Sequence, residues 1–275
     1  MTDGAQDLEL RLLIEAIYVR YHYDFRRYAR VSLKRRLEGA MARFGFATLS
    51  ELQGRLLRDP ALFTQLLDFL TVQVTEMFRD PAYFRALRAE VLPMLATWPS
   101  VKVWVAGCST GEEAYSLAIL LKEAGLLPRT LLYATDINAG ALETARAGVY
   151  PLDAMAGFSE AYQRAGGTGS FSDHYTAAYG NAVMDASLRK AIVFADHSLA
   201  TDSVFAEVQL VSCRNVMIYF DRDLQARAVG LFRDALSPGG FLGIGSRESL
   251  RFSPHAAAFR EVCAAERIYA RVADA

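Results

Sequence analysis

A short segment of small and acidic residues, Gly107 to Glu113, has the composition and position of a ligand-binding loop. It follows a β-branched apolar run and precedes apolar residues at helical spacing, so it is expected to join a strand to a helix. Small residues at such a junction let a ligand approach the backbone, and the first helical turn offers free N–H groups. The loop is therefore the first candidate for a small-molecule site.

Phosphate binding is one chemistry to consider for this loop. A Walker-type phosphate loop requires Gly-Lys followed by Ser or Thr, because the lysine reaches the phosphates. Here Glu112 and Glu113 follow Gly111 and place negative charge where a pyrophosphate would lie. The sequence therefore disfavours a nucleotide held by its phosphates.

Nucleophilic hydrolysis is a second chemistry for the same residues. The run from Gly107 to Gly111 matches G-x-S-x-G, the turn that presents the nucleophilic serine of α/β-hydrolases. Ser109 would be the nucleophile, with His197 or His255 as the base. That fold places several strands before its serine, whereas here a long helical pattern precedes the first strand. A serine hydrolase is therefore kept only as an alternative.

A positively charged nucleoside without phosphates fits the loop better. Asp136 is predicted to end the second strand, 25 residues after Gly111, near the spacing of about 20 residues at which a carboxylate accepts ribose hydroxyls. Glu112 or Glu113 could neutralise a cationic group on the ligand. S-adenosylmethionine carries a ribose, an amino acid and a sulfonium, so it meets these conditions. The simpler alternative is that both glutamates only stabilise the helix dipole.

Two apolar patterns divide the chain around this loop. From residue 7 to about 90, apolar residues recur at every third or fourth position, which predicts a helical domain. Later, short β-branched runs alternate with helical patterns, which predicts βαβ units and a parallel sheet. Residues 151–191 interrupt this alternation with glycines and short aromatic pieces, which predicts an inserted lobe of small strands or loops. The predicted strands are 101–107, 131–136, 192–196, 208–213 and 241–244; the predicted helices are 112–124, 139–147 and 221–236, with a turn at 237–240 and closing strands within 259–271.

Five segments of the sequence together resemble the CheR family, the methyltransferases that esterify glutamates on chemotaxis receptors. Their order and spacing match over residues 15–271, which is nearly the whole chain. A single segment of this kind is a weak signal, but five in series are specific. The segments are VTEMFRDPAYF (74–84), AGCSTGEEAYSLA (106–118), ATDIN (134–138), ARAGVY (145–150) and CRNVMIYFD (213–221).

The resemblance implies an α/β fold, with a Rossmann-like S-adenosylmethionine-dependent methyltransferase domain, an N-terminal all-helical domain and a small inserted β-subdomain. In this sequence the helical domain is expected at 1–90, the methyltransferase domain at 91–275 and the inserted β-subdomain at 151–191. The implied cofactor is S-adenosyl-L-methionine, with S-adenosyl-L-homocysteine as the product. No metal is expected.

The resemblance also implies roles for individual residues. Arg79 and Tyr219 are expected to be catalytic, since a guanidinium offers two parallel donors to a carboxylate and a phenol can donate to the substrate. Glu113 is expected to bind the amino group of the methionine part, and Asp136 the ribose. Ser198 and Leu199 are expected at the adenine edge. The implied cofactor contacts are Gln73, Thr75, Arg79, Glu113, Asp136, Ser198, Leu199, Arg214 and Asn215.

Some positions depart from the family pattern. Gln73 and Ser198 stand where asparagine is usual, Met77 stands where phenylalanine is usual, and residues 245–248 read Gly-Ser-Arg-Glu instead of Gly-His-Ser-Glu. A serine in place of an amide has a shorter reach and one fewer donor. These departures leave open a second function, in which a CheR-like signalling module binds the cofactor with little catalysis.

Methyl transfer to a glutamate requires little acid–base chemistry. The free side chain has a pKa of about 4.3, so near neutral pH it is already a carboxylate nucleophile. The enzyme must align oxygen, methyl carbon and sulfur at about 3–3.5 Å and exclude water. The chain has four histidines and none lies in the five segments, which agrees with a reaction that needs no base.

A basic helix face is a candidate docking surface for the substrate. Arg35, Arg36 and Arg43 lie on a helix predicted at 29–44, and Arg36 and Arg43 share one stripe because they are seven residues apart. Such a face could steer a glutamate-rich receptor helix toward the active site. The alternative is an ordinary solvated helix face.

Composition restricts the classes of partner. The 275 residues are 52% hydrophobic and 22% charged, as in a globular protein, and 30 basic against 31 acidic residues give a net charge of −1. This balance argues against nucleic-acid binding by the chain as a whole. The expected partner is a methyl-accepting receptor or a similar glutamate-rich helical signalling protein, and the family resemblance suggests a monomer.

Cysteine usage and hydropathy indicate the compartment. Cys108, Cys213 and Cys263 are widely spaced and odd in number, which suits neither a disulfide framework nor a zinc site and favours a reducing environment. The N-terminus is acidic, unlike a secretory signal, and no apolar stretch approaches eighteen residues. We therefore expect a cytoplasmic protein that does not span a membrane.

Overall fold

The N-terminal part of the chain is a cluster of four helices. The computed structural model describes residues 3–71 and 73–273, so residues 1, 2, 72, 274 and 275 lie outside the description. Leucines at helical spacing, together with Phe25 and Phe63, form a buried core among these helices. Thr48 and Glu51 form a capping box, while Asp59 caps the helix that Pro60 begins. The helices are α1 (Asp3–Tyr21), α2 (Arg30–Phe44), α3 (Leu49–Leu56) and α4 (Pro60–Leu70).

The next helical stretch belongs to a different core. Helix α5 (Pro81–Ala86) continues through a π-helical turn (Leu87–Val91) into α6 (Leu92–Leu95), where Pro93 lacks the N–H that would continue the α-helical ladder. Its buried side chains pack with the strands of the sheet and not with α1–α4. Residues up to 90, which the sequence assigned to the helical domain, therefore include side chains such as Met77 and Phe84 that pack with the sheet.

A seven-stranded sheet forms the centre of the remaining chain. The strand order is β6-β2-β1-β7-β8-β10-β9, parallel from β6 to β8 and antiparallel in the last two pairings. The order reverses beside β1, which makes the carboxyl ends of β1, β2 and β7 the place where open α/β sheets bind ligands. The strands are β1 (Val101–Ala106), β2 (Thr130–Asp136), β6 (Ile192–Asp196), β7 (Val208–Cys213), β8 (Leu236–Ile244), β9 (Phe259–Cys263) and β10 (Ile268–Arg271).

Helices cover both faces of this sheet, as the predicted βαβ alternation requires. Alternate residues of β1 point to opposite cores: Val103 and Val105 pack with α7, whereas Trp104 packs with α11. Residues 237–240 were predicted to form a turn between elements. They instead form a bulge within strand β8, which is seen as a register shift in the pairing of β7 with β8. The helices are α7 (Glu112–Glu123), α8 (Ala139–Ala147), α10 (Ala186–Ala191) and α11 (Arg222–Ala235).

The predicted inserted lobe contains a small antiparallel sheet and a helix. The strands β3 (Val149–Pro151), β4 (Tyr175–Ala178) and β5 (Asn181–Met184) pair in the order β3-β5-β4. The sequence predicted strands or loops, but it did not predict α9 (Ala154–Arg164). Met155, Phe158 and Tyr162 form the buried stripe of α9, and Gly157 is tolerated because it is exposed.

The helical cluster packs over the carboxyl edge of the large sheet. The backbone N–H of Ala29 donates to the carbonyl of Tyr219 at 2.8 Å, and the N–H of Asp221 donates to the carbonyl of Arg27 at 2.8 Å. These bonds place α2 beside the segment that follows β7. Among residues 3–71 and 73–273, no helix has the length and apolar character needed to cross a bilayer.

Candidate functional site

A cavity of about 920 Å³, its open mouth included, lies between the helical cluster and the carboxyl ends of β1, β2 and β7. Both parts of the chain contribute to the walls. The lining residues are Tyr28, Arg36, Leu70, Thr71, Gln73, Val74, Thr75, Arg79, Gly107, Cys108, Ser109, Glu113, Asp136, Ile137, His197, Leu199, Arg214, Asn215, Val216, Tyr219 and Phe220.

The loop after β1 forms one wall, and its backbone explains its glycines. Gly107 has φ of 76°, and a Cβ at this position would lie 2.4 Å from a methyl group of Val216. Gly111 has φ of 98° just before α7. Both positions are strained for any other residue. The close approach of the loop to the 214–216 segment therefore depends on glycine.

Asp136 is held at the end of β2 by backbone donors. Its Oδ2 accepts from the N–H of Ser109 at 2.8 Å, and its Oδ1 accepts from the N–H of Asn138 at 2.9 Å. Burial raises the pKa of this carboxyl group, and the two N–H bonds oppose that rise. A carboxylate has about four acceptor positions, so two remain for hydroxyl groups in the cavity.

Gln73 was expected to contact the cofactor, but its amide is engaged within the protein. Its Oε1 accepts from the hydroxyl of Ser109 at 2.6 Å, and its Nε2 donates to the hydroxyl oxygen of Thr71 at 2.9 Å. Thr71 also accepts from Asn138 Nδ2 at 2.9 Å. Together with Asp136, these residues close a ring of hydrogen bonds around one end of the cavity. Gln73 lines the cavity, yet its two polar atoms serve to hold the loop.

Glu113 and Glu112 differ although they are adjacent. Glu113 lines the cavity, where its Oε1 accepts from Ser212 Oγ at 2.6 Å and its Oε2 from Arg214 Nη1 at 3.2 Å. Glu112 is buried away from the cavity and accepts from Thr110 Oγ1 at 2.7 Å. Burial raises the pKa of Glu112 to about 7. Glu113 is therefore the carboxylate available to a cationic ligand.

Arg214 is a buried cation whose charge is compensated. Its Nη2 donates to Asp80 Oδ2 at 2.7 Å and to the carbonyl of Arg79 at 2.9 Å, and its guanidinium lies 4.2 Å from the ring centre of Tyr83. The side chain is only 2% exposed. These contacts fix the 79–80 segment against Glu113, so Arg214 orients the cavity wall as well as lining it.

Tyr219 and two arginines also line the cavity. The guanidinium of Arg36 lies 4.3 Å from the ring centre of Tyr219, and Arg36 Nη1 donates to the carbonyl of Leu70. Arg36 Nη2 is buried without a partner among the described residues. Arg79 donates to the carbonyl of Val74 at 3.1 Å. The cavity is thus lined by guanidinium groups as well as carboxylates.

The structure separates the three arginines expected to dock the substrate. Arg35 and Arg43 are exposed on α2, but Arg36 is half-buried in the cavity wall and does not share their surface. The expected stripe of Arg36 and Arg43 is therefore not a continuous basic face. Helical spacing placed these residues near one another but did not show that the sheet covers Arg36.

The segment after β6 brings Leu199 into the cavity but not Ser198. The N–H of Ser198 donates to Asp202 Oδ2 at 2.9 Å, and its Oγ accepts from the N–H of Ala200 at 3.3 Å. His197 lines the cavity instead, with Nε2 3.0 Å from the carbonyl of Ser203 and a buried Nδ1 that has no partner in the part of the chain that the structure describes. Its position directly after β6 was the available sequence signal, since this sheet edge collects ligand-binding residues.

Asn215 lies in a turn held by a buried carboxylate. Asn215 has φ of 61°, a conformation that asparagine tolerates better than most residues. Glu248 Oε2 accepts from the N–H of Asn215 at 3.2 Å, and Oε1 accepts from Val216 at 3.0 Å and Ile218 at 3.2 Å. Burial raises the pKa of Glu248. Glu248 therefore shapes the segment that carries Tyr219.

Most of the residues that the sequence predicted to bind the cofactor line this one cavity. The described residues of the cavity wall include eight of the nine expected cofactor contacts, all except Ser198, together with Tyr219. The sequence did not predict Tyr28, Ile137 or Phe220 as lining residues, because apolar and aromatic side chains are common in a protein core and do not by themselves indicate a ligand site.

The serine hydrolase alternative lacks its base. Ser109 donates to Gln73 and not to a histidine. His197 Nε2 contacts the carbonyl of Ser203, and His255 Nδ1 contacts Arg233 Nη1 at 3.0 Å. Without a neighbouring base, the hydroxyl of Ser109 is a weak nucleophile.

The donor set fits S-adenosylmethionine. Glu113 and Asp136 supply acceptors for an amino group and ribose hydroxyls, while Ile137 and Leu199 supply apolar surface. Two buried nitrogen atoms without a described partner belong to the same lining: Arg36 Nη2 adds a donor, and His197 Nδ1 adds an acceptor because Nε2–H donates to the carbonyl of Ser203. A phosphate-rich nucleotide would instead meet two carboxylates.

Comparison with known proteins agrees with this geometry. Residues 8–71 match the family model "CheR methyltransferase, all-alpha domain", and residues 73–266 match "CheR methyltransferase, SAM binding domain". A Pseudomonas putida protein to which the name methyltransferase Cher3 is assigned is 58% identical over 96% of both chains. Chemotaxis protein methyltransferase 1 of Vibrio cholerae is 32% identical over 79% of this chain and 80% of its own, and the chemotaxis protein methyltransferase of Listeria innocua is 30% identical over 82% and 84%. The chain therefore belongs to the CheR family of S-adenosylmethionine-dependent methyltransferases.

Proposed function

We propose that this protein methylates glutamate side chains of a chemotaxis-type receptor or a related signalling protein. The product is a glutamyl methyl ester, with S-adenosylhomocysteine released. The observation that carries the proposal is the set of charges that line one cavity: the guanidinium groups of Arg36 and Arg79 suit an acceptor carboxylate, and the carboxylates of Glu113 and Asp136 suit the cofactor. Guanidinium groups bind carboxylates with two parallel hydrogen bonds, which gives geometric selectivity.

The residues of the chain position reactants rather than move protons. When bound, S-adenosylmethionine supplies a methyl group on a positively charged sulfur. Asp136 accepts ribose hydroxyls, and Glu113 binds the amino group. Arg79 and Arg36 orient the acceptor carboxylate, and Tyr219 donates a hydrogen bond to it. Because a glutamate is already ionised near neutral pH, alignment and exclusion of water are sufficient contributions.

A receptor substrate is supported by the relatives and by surface charge. Two of the relatives described above are named chemotaxis protein methyltransferases. Arg35 and Arg43 are exposed on α2, where they can attract an acidic helix. We further propose that the protein acts as a monomer in the cytoplasm and does not bind nucleic acid. The free cysteines Cys108, Cys213 and Cys263 are compatible with a reducing compartment.

The proposal is tested by following a labelled methyl group. The protein is incubated with methyl-labelled S-adenosylmethionine and a glutamate-rich helical acceptor, and the product is then treated with mild base. A glutamyl methyl ester releases the label as volatile methanol, so we expect volatile label with the glutamate acceptor and none with its glutamine counterpart. Label that stays on the acceptor after base would identify another chemistry and contradict the proposal.

The same experiment separates an enzyme from a binding module. Calorimetry measures the affinity for S-adenosylmethionine independently of transfer. Tight cofactor binding without transfer to any glutamate acceptor would favour the CheR-like module with little catalysis, for which Gln73 and the altered 245–248 segment are the motivating departures.

A further inference from the structure

A second surface feature lies beside the cavity and carries no assigned role. Three arginines and an exposed phenylalanine, Arg222, Arg247, Arg251 and Phe252, form what we call the Arg–Phe patch. The guanidinium groups of Arg222 and Arg251 each lie 5.9 Å from the ring centre of Phe252. Apolar side chains including Met217 line the hollow beside them.

The positive charge of this patch is not neutralised. Among residues 3–71 and 73–273, no carboxylate within ion-pair distance is found for Arg222, Arg247 or Arg251. The carboxylate that lines the hollow, Glu248, is buried and occupied by backbone N–H groups. The nearby Asp223 pairs with Arg27 at 2.5 Å. The patch is therefore complementary to an acidic partner.

Local stability does not account for these side chains. Arg222 occupies the first turn of α11, where a cation opposes the helix dipole. Phe252 is 77% exposed, so its ring gains little from burial within the protein. Arginines around an aromatic side chain are instead the composition of energetically dominant interface sites.

The patch is separated from the cofactor cavity by one short segment. Val216, Tyr219 and Phe220 line the cavity, whereas Met217 and Ile218 from the same turn line the hollow. Glu248 bonds to the backbone of this turn and lies in the loop that carries Arg247. Arg247 is also one of the departures from the family pattern, which has serine at this position.

We propose that the Arg–Phe patch is a docking surface for an acidic segment, bearing an apolar side chain, of the methyl-accepting protein. This inference rests on the proposed function, because it extends the substrate contact from the cavity to the neighbouring surface. The guanidinium groups bind carboxylates of the segment, and its apolar side chain packs on Phe252 and the apolar hollow.

The test uses the full chain and a defined probe. The probe is a fluorescein-labelled peptide in which glutamates alternate with leucine and phenylalanine, and its binding is followed by fluorescence anisotropy. The variants are Arg247→Glu with Arg251→Glu, and separately Phe252→Ser. The matched control is Arg260→Glu, an exposed arginine on β9 away from the patch. Calorimetry with S-adenosylhomocysteine verifies that each variant is folded.

We expect the double charge reversal to weaken peptide binding at least about five-fold and to reduce its dependence on salt, as for loss of complementary charge at an interface. Phe252→Ser weakens binding about three-fold, an effect that a purely electrostatic patch would not show. Arg260→Glu leaves binding within about two-fold, the scale of an exposed charge away from the interface.

Three outcomes would overturn the inference: unchanged binding in both patch variants, equal binding of a peptide with glutamine in place of glutamate, or tighter patch-dependent binding of a DNA oligonucleotide. Ester formation is measured in parallel. If peptide binding depends on the patch but no ester forms, the docking inference stands and the proposed function is contradicted. If ester forms and neither ester formation nor peptide binding changes in the patch variants, the proposed function stands and the docking inference is contradicted.

Discussion

At the scale of single residues, the adjacent carboxylates of Glu112 and Glu113 differ in burial and in hydrogen-bond donors. Glu113 faces the cavity with donors from Ser212 and Arg214, and Glu112 lies in the protein interior with one donor from Thr110. A buried carboxylate with a single hydroxyl donor is costly to ionise, which is why its pKa rises. The loop pattern alone offered both residues for a cationic ligand, the family resemblance pointed to Glu113, and only Glu113 lines the cavity.

Glu112→Gln should change the pH dependence of stability. The pKa of Glu112 is raised to about 7 in the folded state from 4.5, so the folded protein binds this proton more tightly and loses stability as pH rises from about 4.5 through 7. We expect Glu112→Gln to raise the free energy of unfolding by about 1–3 kcal/mol at pH 8 and to change it little at pH 5. Urea denaturation at both pH values measures this; an equal effect at both would contradict it.

Asp136→Asn should weaken cofactor binding. An amide in this place loses the charge and points an N–H group at one of the backbone donors from Ser109 and Asn138. We expect the Kd for S-adenosylmethionine to rise about 10–100-fold in calorimetry, as for hydrogen bonds to charged groups. Asp196→Asn is the matched control, because Asp196 pairs with Asp136 across β6 and β2 but does not line the cavity. An equal loss in both variants would exclude a specific role for Asp136.

At the scale of elements, hydrogen bonds between loops position the site. Gln73, in the segment between α4 and α5, connects to the loop after β1 through Ser109 and to the N-terminus of α8 through Thr71 and Asn138. Each of these segments is short, so side-chain bonds rather than backbone pairing fix their relative positions. Gln73 thus positions the loop, a role beyond the cofactor contact that the sequence predicted.

Gln73→Ala should act on the cofactor through Ser109. We expect about a five-fold increase in Kd for S-adenosylmethionine, equivalent to one hydrogen bond of about 1 kcal/mol. In a Ser109→Ala background the same substitution should have much less effect, because the bond it removes is already absent. Calorimetry on the four proteins of this cycle measures the coupling, and additive effects would argue for direct contact of Gln73 with the cofactor.

Gly243 in β8 should not tolerate a side chain. A Cβ here would lie 2.0 Å from the hydroxyl of Tyr83, which bonds to Ser212 and so supports Glu113. We expect Gly243→Ala to reduce the free energy of unfolding by about 2–3 kcal/mol through overpacking. Gly157 lies on the exposed side of α9 with open space around it. Gly157→Ala should therefore raise the free energy of unfolding by about 0.5–1 kcal/mol. Thermal denaturation measures the stability of both variants. Similar losses of stability in Gly243→Ala and Gly157→Ala would mean that overpacking against Tyr83 does not explain the effect at Gly243.

At the scale of the whole molecule, the site exists because two parts of the chain meet. The helical cluster contributes Tyr28 and Arg36, and the α/β part contributes Asp136 at the end of β2, Glu113 in α7 and Tyr219 after β7. The bond from the N–H of Ala29 to the carbonyl of Tyr219 joins these parts directly. Arg36 therefore belongs to the cavity wall, and Arg35 and Arg43 remain the exposed candidates for attracting a substrate.

These arginines should give different kinetic effects. Arg36→Lys keeps the charge but loses the planar contact with Tyr219, so we expect kcat for methyl transfer to fall at least about ten-fold. Arg35→Glu with Arg43→Glu should raise KM for the protein acceptor several-fold and leave cofactor affinity unchanged, since both residues lie outside the cavity. Steady-state kinetics separate the two, and an unchanged KM in the double variant would remove the steering role.

Much of this molecule was predictable from local sequence. The strands 192–196 and 208–213 and the helix 139–147 match the structure because β-branched runs and helical spacing are local signals. The loop from Gly107 to Glu113 was predictable because its glycines, acids and position are all contiguous. Helix α9 was not predicted, since Gly157 suggested a break that exposure on the helix surface makes harmless.

The sequence by itself determined the family, most strands of the large sheet and the carboxylates suited to a charged nucleoside, because these depend on residue types at short spacing. Only the tertiary structure decided that Ser198 lies outside the cavity lining, that Gln73 holds a loop, and that Arg36 lies against Tyr219. The physical reason is that burial and hydrogen-bond partners come from residues distant in the chain, as with Arg36 and Tyr219, and no local pattern encodes which distant surfaces meet.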